Sequence, residues 1–343
     1  MKEKTFFHDL RAYMVFVVMM ILSLSGCEPC DPLIPPIKPV VVIKPADNVK
    51  LMSATMVALV IPNEDGTEVS FEYKKTVSGV WTKTFPLIYG GADSIEISSD
   101  LSGLEAGTEY SFRVKASNTA GETISDVSTF CTYAVADIDG NLYHTVQIGN
   151  QTWLKENLAV THYKNGEPIA NVTDLVAWGN LTTGAYCWYD NDPKIGEVYG
   201  ALYNWYTIAD PRGLAIEGWH VPTHEEWIDL LAFLSEPGDP SRGQVTAYPK
   251  LMEAGLAHWR KPLVPATNSS GFTALPNGKI GLDSELNIFM FMDLGATATF
   301  WSSSLFGPGA IIFKISIDHR FVDSGVIYEL SRGLGIRLLK DAE

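Results

Sequence analysis

The stretch Gly218–Trp227, GWHVPTHEEW, sets His220, His224, Glu225 and Glu226 close together, a set of side chains that can bind zinc or move protons. A zinc-binding helix of the HExxH type needs two imidazoles one turn apart on one face, with the glutamate activating water. Here Ile228 stands where the second histidine is required, and Pro222 separates His220 from His224, so one continuous helix cannot carry both. The same letters specify a helix start: Thr223 as N-cap, Glu226 completing a capping box, and Trp227, Leu230, Leu231 and Leu234 as one apolar stripe, stopped by Pro237 and Gly238. Glu225 and Glu226 are adjacent, so on a helix they point about 100° apart and cannot face each other as an acid/base pair. The expectation is a structural helix over Thr223–Leu234, with no catalytic residue and no metal ligand in it.

Other chemistry-bearing groups give the same answer. Asp137-Ile138-Asp139-Gly140-Asn141 departs from an EF-hand loop, because its glycine comes early and Ile148 occupies the twelfth position. Asp139-Gly140 is expected to turn a hairpin between Tyr133–Ile138 and Leu142–Ile148. Asp190-Asn191-Asp192-Pro193 suits an Asx-turn better than a calcium site. The lone CxxC, Cys27 to Cys30, lacks a second pair, and neither a GxSxG elbow nor a P-loop is present. The sequence therefore implies a non-enzyme with no cofactor and no metal. Aromatic side chains are the remaining resource: eight of the nine tryptophans lie between Trp153 and Trp301. Trp178, Trp188, Tyr189 and Trp259 are the candidate ligand-binding residues, since such rings stack on sugar faces when exposed and fill a core when buried.

Four segments must position these groups. Lys2, Lys4 and Arg11 precede the apolar run Ala12–Leu24, too short to span a bilayer comfortably, which implies a signal peptide over 1–26. Residues 27–45, with six prolines from Pro29 to Pro45, form a semi-rigid extended tether. Residues 46–133 alternate with period two between turn signals, with strands expected at Met56–Ile61, Val69–Tyr73, Trp81–Phe85, Ser94–Ile97, Tyr110–Ser117 and Val127–Cys131, the pattern of a β-sandwich. The net charge of −15 disfavours nucleic acid as a partner. Four cysteines do not make a disulfide scaffold, so core packing must supply stability.

Three resemblances add to this. Leu24-Ser25-Gly26-Cys27 resembles the bacterial lipobox, implying lipidation at Cys27, a membrane as partner through that lipid, and a cell-envelope location at the outer membrane. Leu104-Glu105-Ala106-Gly107-Thr108-Glu109-Tyr110, followed by the alternating strand to Val114, resembles fibronectin type III domains, with a tyrosine pinning the corner; Trp81 is the one tryptophan in that segment, and the family's usual early-strand tryptophan is missing. From 136 to 341, Ile148-Gly149-x-Gln151-x-Trp153, Glu156-Asn157-Leu158, Tyr199-Gly200-x-Leu202-Tyr203-Asn204-Trp205, Gly218-Trp219-His220-Val221-Pro222-Thr223, Ser270-Gly271-Phe272, Phe300-Trp301-Ser302-Ser303 and Gly335-x-Arg337 together resemble the Fibrobacter succinogenes major paralogous domain. That family's terminal Arg-Cys is Arg337-Leu338 here, which implies that Cys187 is a buried free thiol. The Val-Pro-Thr-x-x-Glu-Trp helix start is similar to the formylglycine-generating and C-type-lectin-like group, which implies that Thr145–Ile148 lies beside a C-terminal strand near Leu334–Leu339. The expected fold is thus multidomain: an all-β fibronectin type III-like sandwich followed by an α+β, loop-rich, C-type-lectin-like domain. The expected function is a non-catalytic binding or adhesion module on an envelope lipoprotein, with a glycan or an envelope protein as partner. The alternatives are a structural or self-assembling envelope component and, third, a metal-dependent enzyme.

Overall fold

A computed structural model describes residues 35–77, 79–214, 216–239 and 244–342. The signal peptide, Cys27, Cys30 and most of the tether lie outside the described residues. Among the described residues no helix is long and apolar enough to cross a membrane.

The first unit contains β1 (Val40–Ile43), β2 (Ser53–Ile61), β3 (Thr67–Lys75), β4 (Thr82–Lys83), β5 (Leu87–Tyr89), β6 (Ile95–Ser102), β7 (Glu109–Asn118), β8 (Gly121–Ile124) and β9 (Ser128–Cys131). One sheet runs β1-β2-β6 and the other β4-β3-β7-β8, with β5 also on β3 and β9 also on β7. In β2 every second residue, Ala54, Met56, Ala58 and Val60, is buried, as period-two alternation demands of a strand with one wet face. These meet Phe71, Ile97, Phe112, Val114 and Phe130 from the facing strands in one core. No tryptophan belongs to that core; stacked Tyr110 and Phe130 and the edge-on Phe112 supply its aromatic bulk instead. The corner forms as the sequence implies: Leu104 is buried, and the Tyr110 hydroxyl accepts the Glu105 N–H at 3.0 Å.

The sandwich begins earlier than the sequence suggests. Val40–Ile43, assigned above to the tether, pairs antiparallel with β2 from Val40↔Ile61 to Ile43↔Ala58. Four consecutive β-branched residues with free N–H groups lie between Pro39 and Pro45, so the prolines bound a strand rather than prevent one.

The second unit contains β10 (Val135–Ala136), β11 (Leu142–Tyr143), β12 (Thr145–Ile148), β13 (Gln151–Leu154), β14 (Ala170–Asn171), α1 (Leu175–Gly179), β15 (Ala185–Cys187), α2 (Pro193–Tyr199), β16 (Leu202–Tyr203), α3 (Trp205–Ala209), β17 (Trp219–His220), α4 (His224–Leu234), α5 (Gln244–Leu251), β18 (Asn277–Asp283), β19 (Ile288–Leu294), β20 (Thr297–Phe306), β21 (Gly309–Ser316), β22 (Val322–Ile327) and β23 (Leu339–Lys340). A five-stranded sheet β19-β18-β20-β21-β22 and a four-stranded sheet β12-β13-β23-β17 carry most of it. The C-terminal strand does close on the start of the unit, but on β13 through Trp153↔Leu339 rather than on β12. The tight turn at Gly149-Asn150 folds the hairpin over, which leaves β12 at the sheet edge and β13 inside.

Helix α4 is built as its letters specify. Thr223 caps Glu226 N–H, the Glu226 side chain returns to the Thr223 N–H, and Trp227, Leu230, Leu231 and Leu234 are buried. Trp227 lies 4.7 Å from Trp153 and 5.0 Å from Phe313, ring centre to ring centre, so the helix packs on both sheets at once. Replacing Tyr110 by Phe leaves the Glu105 N–H without its acceptor. Chemical denaturation is expected to show the sandwich losing about 1 kcal/mol, with the tryptophan-reported transition of the second unit unchanged.

Candidate functional site

His220 and His224 do not converge. The Nδ1 of His220 meets Asp341 at 2.7 Å and its Nε2 meets both Glu226 oxygens at 3.0 Å, tying the chain end to the start of α4. The His224 ring instead lies against Phe313 at 5.7 Å. Glu225 is exposed, while Glu226 accepts from the Thr223 N–H and hydroxyl. Among the described residues, no group of His, Cys, Asp and Glu side chains is placed to hold a metal ion.

At the centre of the unit sits Arg337, fully buried without a carboxylate partner. Its Nε and Nη2 donate to Asn157 Oδ1 at 3.1 and 2.7 Å, and its Nη1 donates to the carbonyls of Leu154 at 3.1 Å and Phe272 at 2.7 Å. The guanidinium also lies over the rings of Phe272 and Phe300, at 4.5 and 5.6 Å. Burial pushes it down to about 9, against the opposing pull of the Glu156 charge. Four sequence landmarks, around Asn157, Phe272, Phe300 and Arg337, thus meet at one cation.

Residues 146–313 match the model of the Fibrobacter succinogenes major domain. Over those residues the second unit is a Fibrobacter succinogenes major domain. No curated protein matches the sequence. Among solved structures, the sensor domain of the anti-sigma factor RsgI4 in Pseudobacteroides cellulosolvens is 21% identical, covering 29% of this chain and 93% of its own, with a TM-score of 0.24. A fibronectin type III domain derived from the human KIAA0970 protein is 15% identical over 31% of this chain and 78% of its own, with a TM-score of 0.22. The domain of human fibronectin type III domain containing protein 3 is 20% identical over 34% of this chain and 100% of its own, with a TM-score of 0.20. At such scores the sandwich is assigned by its own strand order.

Within the major domain, three of the four candidate ligand-binding aromatics are core residues. Trp178 is fully buried and its indole N–H donates to the Ser331 carbonyl. Trp259 is buried and donates to the Ala274 carbonyl at 2.9 Å, and Tyr189 packs on Phe291 at 5.1 Å. The physical reason is shared: these loops lack long apolar runs of their own, so large rings anchor them to the sheets. Trp188 differs. It is half-buried, meets half-buried Tyr186 edge to face at 5.5 Å, and covers Gly196, where any Cβ would lie 2.2 Å from the indole.

Beside these two rings lies a polar network that sequence reasoning missed as a unit. The Tyr186 hydroxyl is raised chiefly by burial, with the Asp139 charge adding to it and the side chains of Asn171 and Thr161 opposing it as hydrogen-bond partners. Thr161 donates both its N–H and its hydroxyl to Asp139 Oδ2, and the His162 ring meets Asp139 Oδ1 at 2.5 Å. Asp137 accepts from the Tyr143 hydroxyl at 2.6 Å and from Asn141. Both carboxylates of the acidic loop are thus engaged by protein donors, which fits a hairpin knot and not a calcium loop. His162 also borders a groove of about 290 Å³ with Ile138, Val160, Leu214 and Ile216 as apolar lining and Lys164 and Glu217 at the rim. The turn residues of the Asp137–Asn141 run gave the signal for the loop; nothing local in the sequence brings Thr161 and Asn171 to Tyr186, because β14 and β15 pair in parallel across a long connection.

Cys187 is buried and free, as the resemblance implies, and burial pushes its thiol far above the ordinary range. The Asp190–Pro193 run is a cap: Asp190 and Asn191 adopt left-handed conformations, and Asp192 accepts from Lys194 N–H at 2.9 Å to start α2.

Burial alone would raise the Asp139 carboxyl, but hydrogen bonds from Thr161 and the contact with His162 win and hold it below its ordinary value of 3.8. A depressed folded-state value means that its stabilisation is present above the unfolded value and is lost as pH falls through the folded one. Asp139→Asn is therefore expected to lower stability at pH 7 by about 1–2 kcal/mol. The gap to the unchanged protein should shrink as pH is lowered below that ordinary value, as followed by urea midpoints across the range.

Proposed function

We propose that this chain is a cell-envelope lipoprotein, anchored through a lipidated Cys27, whose sandwich spaces a non-catalytic binding domain from the membrane. The ligand class is a glycan, and its site is the rim formed by Trp188 and Tyr186 with Asp139, Thr161, His162 and Asn171. One observation carries this reading: two half-buried aromatic rings at the edge of a core stand beside hydroxyl, amide and carboxylate groups already fixed in place, which is how a protein orients a sugar ring by its apolar face and its hydroxyls. The anchor rests on the charged start, the short apolar run and the Leu24–Cys27 sequence. The domain is read as C-type-lectin-like in use, supported by the closure of β13 on β23 and the capped helix laid against the sheets.

Self-assembly is the second reading. It is favoured by Val77, Val80, Phe85 and Ile88, all strongly exposed on the β4–β5 edge of the sandwich. Light scattering of the soluble chain from Glu28 onward would show a concentration-dependent rise in mass if that edge associates.

On a glycan array, Trp188→Ala and Tyr186→Ala are each expected to weaken binding at least tenfold, while the buried-site variant Trp259→Phe leaves specificity unchanged. Array binding that survives the Trp188 and Tyr186 double variant would remove this site. Cys27→Ala should move the protein from envelope to soluble fractions, and an unlipidated mature chain would dismiss the anchor.

A further inference from the structure

We infer a second ligand platform at the tip of the five-stranded sheet, made by Phe306 and Tyr328 across Gly309, which stacks on a neutral, extended polysaccharide. It is independent of the Trp188 rim. The hairpin joining β20 to β21 turns through Gly307-Pro308, with Gly307 in the left-handed region at φ 58°, and pairs Phe306 with Gly309. A glycine opening a two-residue turn followed by proline gives a stiff, closely defined hairpin. Residues directly opposite in an antiparallel pair project to the same face. On its other side Gly309 is flanked by Tyr328, just past the end of β22: a Cβ on Gly309 would lie 3.0 Å from Tyr328 Cδ1 and 2.5 Å from Val326 Cγ1. The missing side chain therefore lets the Tyr328 ring settle over the strand, with Phe306 on the far side of the same strand.

Both rings remain largely open, Phe306 at 64% and Tyr328 at 61% exposure, and neither belongs to a core cluster. Neither ring adds to the core, and the two lie on one face of a rigid hairpin tip, an arrangement that suits stacking on a ligand. The size of the patch selects the ligand. Two rings open to this extent offer roughly 200–300 Å² from the ~150–250 Å² that each can bury. A stable protein partner needs about 800 Å² on each side. Rings on strands two apart stand about 10 Å from each other, a span suited to alternate rings of an extended sugar chain. The C–H groups on the face of a pyranose complement the negative face of an aromatic ring. A chain of net charge −15 repels polyanions, which favours neutral over anionic polysaccharides.

The test is affinity electrophoresis of the soluble chain through gels containing xylan, glucomannan or hydroxyethyl cellulose, with thermal unfolding as the check on folding. Retardation by at least one of these is expected, with Phe306→Ala and Tyr328→Ala each weakening it tenfold or more and Tyr328→Phe staying within about twofold. Unfolding temperatures should match throughout, since both rings lie outside the core. Trp188→Ala should leave this retardation in place, so failure of the rim and failure of the tip are separable. The inference is overturned if no polysaccharide retards the unchanged protein, or if the Phe306 and Tyr328 double variant migrates as the unchanged protein does. It is also overturned if the double variant abolishes a dimer seen by light scattering, which would assign the patch to a second copy.

Discussion

The buried guanidinium of Arg337 is the constraint on which the major domain depends. Removing a cation from water is tolerable only if nearly all its donors find acceptors, and no carboxylate provides one here. The acceptors are two main-chain carbonyls and one amide oxygen, drawn from the end of β13, the loop after it and the segment before β18, with the rings of Phe272 and Phe300 closing the faces. Each acceptor fixes a loop that has little regular structure of its own. Asn157, while accepting from Arg337, donates to the Tyr199 carbonyl at 2.9 Å, which places the end of α2. Leu154 and Leu158 N–H groups bond to Leu338 and Ile336, so the terminal segment is threaded between the same loops. A domain built from short strands and long connections gains from such a hub the definition that extended ladders give a sandwich.

That hub also explains where aromatic surface is left for function. Trp153, Trp227, Phe272, Phe300 and Phe313 form one nest around α4 and the arginine. Trp178 and Tyr189 serve the β18–β19 hairpin in the same way. Among the rings left accessible at margins are Trp188 and Tyr186 at the edge of a core, and Phe306 and Tyr328 at the sheet tip. The polar groups at the first margin are held by their own hydrogen bonds, so they need no rearrangement to meet a ligand.

Local chemistry was legible in the sequence wherever a few adjacent residues decide it. The capping box at Thr223, the tyrosine corner at Tyr110 and the Asx cap at Asp192 all form from neighbours in the chain. Strand alternation located the sandwich, but prolines on either side hid Val40–Ile43, because a pairing partner twenty residues away is not written in the strand itself. The division of aromatics into core and rim was least legible. Trp188 and Tyr189 are adjacent, yet one faces the margin and the other the interior, since the extended backbone of β15 continues through Trp188 and successive side chains point to opposite faces.

Arg337 can be tested directly by equilibrium urea unfolding of Arg337→Lys followed by tryptophan fluorescence, which reports the major domain because eight of the nine tryptophans lie there. Lysine keeps the charge but cannot reach three acceptors in one plane, so the transition should lose about 3 kcal/mol or more. A midpoint and slope equal to those of the unchanged protein would contradict the assignment of Arg337 as the hub of the domain.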